Sequence, residues 1–467
     1  MVFRRALVLP IALASVLACV TLAAAFLVYA WAPALPAIAQ PAPDSFAPAL
    51  VRQGARLAAL GNCISCHTAE GRPSFSGGRP LETPFGTIFS TNLTPDVETG
   101  LGAWSEEAFR RALRQGLDRE GRHLYPAFPY DHFTRVSDED DRALYAFLMT
   151  RAPVRAVAPA NRLIFPLNIR LLVAGWKALY FHPGAQISEP TRDPAWNRGR
   201  YLVEGLGHCG ACHTPRNALG AEVASAPLAG GEVEGWSAYA LNGASTAPMP
   251  WTVDAMAAYL GQGWAAHHGV SRGPMAEVTL NLADVPTEDL AAMGTYLVSG
   301  MGVPSPERVA RAHAFDEAEP PATTASPSTG RQVAILAPAS GTAPRSGAAI
   351  FAMACASCHD GNQPLPGGGL PLDLSTATHA PDPSNIVAVT LRGLAPVHEG
   401  AGGLMPGFAG VLDDHDVAAL LAYIRETVAK EPPWPGLADT VRDVAARNRG
   451  PGARTAVPVG SNTGEGS

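Results

Sequence analysis

Three short stretches of this chain place two thiols and an imidazole within five residues: Cys63-Ile-Ser-Cys66-His67, Cys209-Gly-Ala-Cys212-His213 and Cys355-Ala-Ser-Cys358-His359. Two thiols at this spacing can close a disulfide, hold zinc, cycle as a redox dithiol or form thioethers to the vinyl groups of haem. Zinc would want a second pair of Cys or His ligands nearby, and a thioredoxin-like dithiol would want a βαβ setting. Neither is visible, and a histidine follows the second cysteine in all three cases. That order reads as covalent haem attachment, with the sulfurs on one edge of the ring and the histidine under the iron as first axial ligand. The expectation is three haem c groups: one on Cys63, Cys66 and His67, one on Cys209, Cys212 and His213, and one on Cys355, Cys358 and His359.

The sixth ligand decides what each iron does. Methionine raises the potential and suits electron transfer, whereas an open position admits peroxide or oxygen chemistry. In the third segment Met405 stands in a Gly- and Pro-rich loop just before the last helical pattern, while Met353 precedes the motif and reads as core. Met405 is the expected ligand. The second segment offers Met249, Met256, Met275 and Met293. Met256 and Met293 sit in helical runs and read as core. Met249, between two prolines, stays possible. Met275 follows Gly273-Pro274 in a loop and is preferred. The first segment has only Met149, inside a helical pattern. Its loop carries His123 and His132 instead, and imidazole binds iron. The order of preference there is His132, then His123, then an open position.

These residues must be held by elements that recur. The first cysteine of each motif lies 146 residues from the next. A glycine precedes each motif (Gly54, Gly199, Gly347) within a short helical pattern, and would let a second helix cross close by. That second helix is predicted at the end of each unit. Asp140, Leu144, Phe147 and Leu148 match Asp289, Met293, Tyr296 and Leu297, and both sets match Asp416, Leu420, Tyr423 and Ile424. The spacing puts the apolar members on one face. The acidic residue near each helix start suits the dipole, with Ser137 and Thr287 as caps. Helix, haem motif, long loop, helix is the plan of a small class I cytochrome c domain.

The fold expectation is therefore all-α: three such domains in tandem behind an N-terminal anchor or signal segment. The boundaries are 1–44 for that segment, 45–155 for domain 1, 156–189 for an apolar connection, 190–303 for domain 2, 304–344 for a Pro/Ala/Ser/Thr linker, 345–430 for domain 3 and 431–467 for a polar tail. From Ala6 to Trp31 no residue is charged, a length that favours a membrane-spanning helix over a signal peptide, with Arg4 and Arg5 on the cytoplasmic side. Ala37-Ile38-Ala39 nevertheless resembles a cleavage site. Either way the bulk of the chain is expected on the periplasmic face of the inner membrane. The connection around Pro166–Phe181 is strongly apolar but too short and too charged to span a bilayer, so it is expected to pack between units or against a neighbouring subunit or the membrane surface.

Among 467 residues, 16% are charged and the formal net charge is −7, with no basic stretch interleaved with aromatics, so nucleic acid is not expected as a partner. No Gly-rich dinucleotide fingerprint and no acid/base or nucleophile set is visible either. The segments Phe85–Asp96, Gly121–Tyr130, Gly207–Asn217 and Gly273–Val278 resemble the three-haem, membrane-bound cytochrome c subunits of bacterial periplasmic dehydrogenases, over nearly the whole chain after the anchor. In the alcohol dehydrogenase branch a methionine stands where this chain has Phe128. Pro250-Trp251-Thr252 and His267–Met275 are more similar to the branch paired with molybdenum hydroxylases.

The resemblance implies an electron-transfer subunit without its own catalysis. Its partner would be a molybdenum, quinoprotein (PQQ) or flavin dehydrogenase subunit, and its acceptor ubiquinone or another cytochrome. The rival expectations are a peroxidase-like enzyme with an open first haem and an oxidase-associated cytochrome c subunit.

Overall fold

The computed structural model describes residues 2–265, 268–318, 345–359, 371–394 and 405–449, with side chains described from residue 13 onward and not at 315–318 or 448–449. The chain divides into two compact units. One comprises Met1–Ser188 with Glu204–His208, the other Glu189–Val203 with Cys209–Ser467.

The first unit contains α1 (Val2–Ala30), α2 (Pro48–Leu60), α3 (Cys63–Cys66), α4 (Glu106–Gln115), α5 (Tyr130–Phe133), α6 (Asp138–Met149) and α7 (Val173–Tyr180). The first unit also holds a three-stranded antiparallel sheet, β1 (Pro80–Thr83), β2 (Gly86–Phe89) and β3 (Arg162–Leu163), whose first two strands follow α3. The second unit begins with α8 (Pro194–Glu204), α9 (Gly210–His213), α10 (Val253–Gln262), α11 (Pro274–Leu282), α12 (Thr287–Met301) and α13 (Pro306–Ala318). It continues with α14 (Gly347–Ala354), α15 (Ala356–His359), α16 (Thr376–His379), α17 (Ser384–Arg392), α18 (Asp414–Tyr423) and α19 (Leu437–Arg449). Its hairpins pair β4 (Gly231–Val233) with β5 (Trp236–Ala238), and β6 (Trp264–Ala265) with β7 (Gly269–Val270). Helices dominate as expected, but the loops fold into small hairpins, a correction to a purely all-α reading. Strands this short alternate over too few residues to register in a sequence.

The helix crossing occurs three times. A Cβ on Gly54 would lie 1.9 Å from the Ala143 carbonyl oxygen, one on Gly199 1.9 Å from that of Ala292, and one on Gly347 2.0 Å from that of Ala419. α2 therefore meets α6 backbone to backbone, as α8 meets α12 and α14 meets α18. The acidic residue at the start of each second helix also pairs across the crossing. Gln53 donates to Asp140 at 3.0 Å, Arg198 bonds Asp289 through two 2.8 Å contacts, and Arg345 grips Asp416. Ser137 caps α6 as expected, accepting from the Asp140 N–H, and Asp413 caps α18 in the same way. Thr287 does not cap α12. Pro286 is the N-cap with extended ψ, so helical dihedrals begin at Thr287 itself.

Three boundaries shift. Residues 31–38 belong to the first unit: Leu35 N–H donates to the Arg119 carbonyl, Ile38 N–H to that of Ala103, and Arg111 donates to the Pro33 carbonyl. The linker placed at 304–344 opens with helix α13, while 319–344 lie outside the described residues. The segment after 430, expected as part of the tail, packs inward: Trp434, Val441, Val444 and Ala445 are buried in one cluster with Leu420, Leu421 and Ile424. The i, i+3, i+4 spacing of Val441, Val444 and Ala445 explains the packing of α19. The rest of the tail expected at 431–467, from residue 450, lies outside the described residues.

The apolar connection forms a 3₁₀ turn, Arg170–Leu172, and α7. Lys177 on α7 is buried, and its ammonium donates to the Gln115 and Gly116 carbonyls at 2.6 and 2.7 Å, closing the C-terminus of α4. On its outer side Ile164, Phe165 and Leu179 are exposed. The 18-residue stretch Leu13–Ala30 is long and apolar enough to cross a membrane, with mean hydropathy 2.3.

Two outcomes follow. Gly54→Ala, Gly199→Ala and Gly347→Ala should each destabilise their own helix pair by about 1–3 kcal/mol, the usual cost of forcing a methyl into a filled contact, read as a lowered unfolding midpoint. Burial pushes Lys177 down to about 7. An unfolded lysine titrates near 10.4, so between those values the unfolded chain binds more protons and stability rises with pH, by at most ~5 kcal/mol. Lys177→Met should flatten that rise in a series of thermal melts; an unchanged slope would show that Lys177 keeps its charge when folded.

Candidate haem-attachment sites

Each motif is wound into one helical turn. His67 N–H donates to the Cys63 carbonyl at 3.0 Å, His213 N–H to that of Cys209 at 2.9 Å, and His359 N–H to that of Cys355 at 2.9 Å. This i→i+4 bond stacks the histidine over the first cysteine, with the second cysteine three residues along the same turn. None of the six cysteines is in a disulfide. Burial, followed by the neighbouring cysteine, pushes the Cys63 and Cys209 thiols up to about 12 and Cys355 to about 11. Reactive redox dithiols need the opposite shift. Among the described residues none of these cysteines joins a His, Cys, Asp or Glu cluster with metal-binding spacing.

Two of the three histidines are oriented by a backbone carbonyl. His67 Nδ1 lies 2.7 Å from the Thr91 oxygen and His213 Nδ1 lies 2.6 Å from the Tyr239 oxygen. Only a protonated Nδ1 can donate to a carbonyl, so the lone pair is on Nε2, the arrangement of an imidazole oriented for a metal. Burial pushes both imidazoles below their ordinary value, partly offset by these bonds, and keeps them neutral. A turn that offers two thiols and one oriented, neutral imidazole fits haem c.

The supports around these two histidines are duplicated. Gly77 N–H donates to the His67 carbonyl and Gly230 N–H to the His213 carbonyl, both at 2.7 Å. Thr68 Oγ1 accepts from Phe75 N–H as Thr214 Oγ1 accepts from Leu228 N–H. Phe75 and Leu228 both take positive φ, 64° and 56°. In each case the antiparallel hairpin β1–β2 or β4–β5 then delivers the carbonyl that orients the histidine. A Cβ on Gly231 would come 2.4 Å from the Cys212 oxygen, so the second hairpin lies directly on its haem turn. Sequence reasoning missed Thr91 and Tyr239, because a backbone carbonyl leaves no side-chain signature.

Met405 exchanges two backbone hydrogen bonds with Leu394, at 2.8 and 3.0 Å, and packs on the buried cluster of its domain. Gly393, at φ 74°, allows this approach, since a Cβ there would lie 2.4 Å from the Met405 oxygen. Met275 is half-buried in the first turn of α11, whereas Met249, Met256 and Met293 are buried. Met353 is 57% exposed on α14, which corrects its reading as core. Met149 is fully buried in α6.

In the first unit, Phe128 packs its ring 5.3 Å from Phe133. His132, buried on α5, has Nδ1 2.9 Å from the Glu204 carbonyl, which again puts the lone pair on Nε2. His123 is turned the other way: its Nε2 lies 2.8 Å from the Ala30 carbonyl, and its buried Nδ1 has no hydrogen-bond partner.

Comparison with known proteins agrees with this geometry. Residues 51–152 match the family model described as cytochrome c, and residues 342–424 match that of cytochrome c oxidase, cbb3-type, subunit III. The chain is 42% identical over 420 residues, 89% of its length, to one of the subunits of nicotinate dehydrogenase from Pseudomonas putida, but spans only 33% of that protein. It is 36% identical to the fructose dehydrogenase cytochrome subunit of Gluconobacter japonicus, over 82% of this chain and 80% of the relative. It is 35% identical to the gluconate 2-dehydrogenase cytochrome c subunit of Pantoea cypripedii, over 82% and 87%.

Gly231→Val should push the second hairpin off the Cys212 carbonyl and withdraw the Tyr239 oxygen from His213. The expected outcome is loss or perturbation of one haem, read by mass spectrometry of the covalent adduct and by optical spectra. A variant with wild-type haem content and spectra would show that the hairpin does not orient His213.

Proposed function

Because the chain belongs to the cytochrome c subunits of dehydrogenase complexes, we propose that it carries three covalently bound haem c groups and relays electrons from a catalytic dehydrogenase subunit to membrane ubiquinone or another cytochrome. Bound haem c supplies one-electron Fe(III)/Fe(II) chemistry. The single observation that carries this reading is the turn repeated at Cys63–His67, Cys209–His213 and Cys355–His359, with the histidine N–H bonded to the first cysteine carbonyl each time.

This chain's residues would attach the three groups, and burial holds the His67 and His213 imidazoles neutral. Met275 and Met405 would hold the second and third haem irons and keep them closed to small oxidants. His132 would hold the first, a choice over His123 supported by its Nδ1 bond to Glu204. The dehydrogenase partner is a molybdenum hydroxylase acting on an aldehyde or N-heterocycle, a reading favoured by the likeness to the nicotinate dehydrogenase chain. The chain is anchored on the periplasmic face by α1. Residues 31–38 tie that helix to the first unit, and the exposed Ile164, Phe165 and Leu179 rest on the bilayer. Alkaline washing should leave the chain in the membrane pellet; release would overturn the anchor.

The haem stoichiometry of the purified chain tests the core of this reading, with three per chain expected and fewer overturning it. In a redox titration, Met275→Leu and Met405→Leu should each lower one midpoint potential, and His132→Ala should turn one haem high-spin. An unchanged titration or spectrum would reject the corresponding ligand. A peroxide-reactive, high-spin first haem in the unaltered chain would favour the peroxidase-like alternative. Affinity purification from membranes should recover a molybdenum-containing dehydrogenase subunit; recovery of oxidase subunits without one would overturn the role.

A further inference from the structure

In the second unit, one short strand touches the supports of two candidate iron centres. β5 and the residues after it carry Trp236, Ser237 and Tyr239. The Tyr239 carbonyl orients His213 at 2.6 Å. Ser237 is held by Asn385 of α17, whose side chain accepts from the Ser237 N–H at 2.9 Å and donates to its carbonyl at 2.8 Å. The indole of Trp236 lies against Gly273, where a Cβ would come 2.6 Å from the ring. Gly273 is two residues before Met275. The same indole packs on the buried cluster that also receives Met405, and the Arg392 guanidinium lies 5.5 Å from its centroid. Arg392 precedes Gly393, whose close approach clasps the Met405 carbonyl.

Trp236 thus sits between the loop of one proposed methionine ligand and the loop of the other. The first hairpin has no such group. Three residues before the carbonyl that orients His67 stands Ile88, whereas three residues before the carbonyl that orients His213 stands Trp236. The indole is therefore not a requirement of holding a haem-ligating histidine. Electronic coupling between redox centres falls steeply across unfilled space and less steeply through packed, bonded atoms. A half-buried aromatic wedged between two ligand loops shortens the unfilled part of the path.

We propose that Trp236 is the bridging side chain for electron transfer between the centre ligated by His213 and the centre ligated by His359, and that Asn385 is a positioning residue that holds β5 against the third domain. One electron moves: the donor iron goes from ferrous to ferric and the acceptor iron from ferric to ferrous. No proton moves, no bond changes, and the indole is neither oxidised nor reduced. The electron is supplied by the dehydrogenase partner, so the proposal rests on the relay reading above.

The test uses the full haem-loaded chain. Pulse radiolysis delivers single electrons, and internal redistribution among the haems is followed optically. Trp236→Leu should slow redistribution between these two haems several-fold while leaving both midpoint potentials unchanged, and Trp236→Phe should recover most of the rate. Hydrogen exchange at the Ser237 N–H, which Asn385 accepts, reports whether the strand stays docked. Asn385→Ala should raise that exchange and slow transfer with the indole still present.

A wild-type rate in Trp236→Leu overturns the bridge. So does an equal loss in the Leu and Phe variants with raised Ser237 exchange, which would assign the effect to undocking. The titration separates the two readings: if fewer than two haems titrate in the second unit, the relay reading fails, and if both titrate with unaltered rates, only the bridge fails.

Discussion

The structure depends on a backbone-to-backbone contact that any side chain would prevent. At Gly54 the space for a Cβ is already taken by the Ala143 carbonyl, and the same is true of Gly199 with Ala292 and Gly347 with Ala419. Each glycine lies eight to ten residues before a Cys-x-x-Cys-His turn. The crossing therefore fixes the helix that leads into that turn against the helix that closes the domain. The polar pair beside it, Gln53–Asp140, Arg198–Asp289 or Arg345–Asp416, adds a directional side-chain constraint to a contact otherwise made between backbones. The acidic residues thus do more than complement a helix dipole: each ties the second helix to the first.

From that frame the chain builds an imidazole of defined tautomer. The turn places the histidine, and the hairpin brings a carbonyl to its Nδ1. A carbonyl accepts only, so the proton is settled on Nδ1 and the lone pair on Nε2. The recurrence of positive-φ Phe75 and Leu228 beside Thr68 and Thr214 shows that two domains solve this in the same way. Their differences lie where the loops face other elements. The first unit uses its loop to hold residues 31–38 and places His123 on the end of α1. The second turns its hairpin toward α17 and puts an indole there.

Lys177 illustrates how the apolar connection is held. Its ammonium closes the last turn of α4 while its helix leaves Leu179 outward. Burial of that amine is unfavourable for its charge. Two carbonyl acceptors offset the cost, and the residual shift makes the first unit sensitive to pH.

Sequence alone determined the chemistry that depends on local spacing. Cys63, Cys66 and His67 and their two counterparts are legible because one helical turn is enough to assemble them. The three crossing glycines are legible because a small residue recurs at one place in a repeat. Short-range reasoning failed where a neighbour decides the outcome. Pro286 displaced Thr287 from the cap, and α19 joined the buried cluster of α14, α17 and α18 although its apolar face is only a few residues long. The carbonyls of Thr91 and Tyr239, the opposite orientations of His123 and His132, and the place of Trp236 between two loops belong to tertiary structure alone. Each depends on a backbone atom or a ring supplied from far along the chain, and a main-chain carbonyl is the same group at every position, so no residue type announces it.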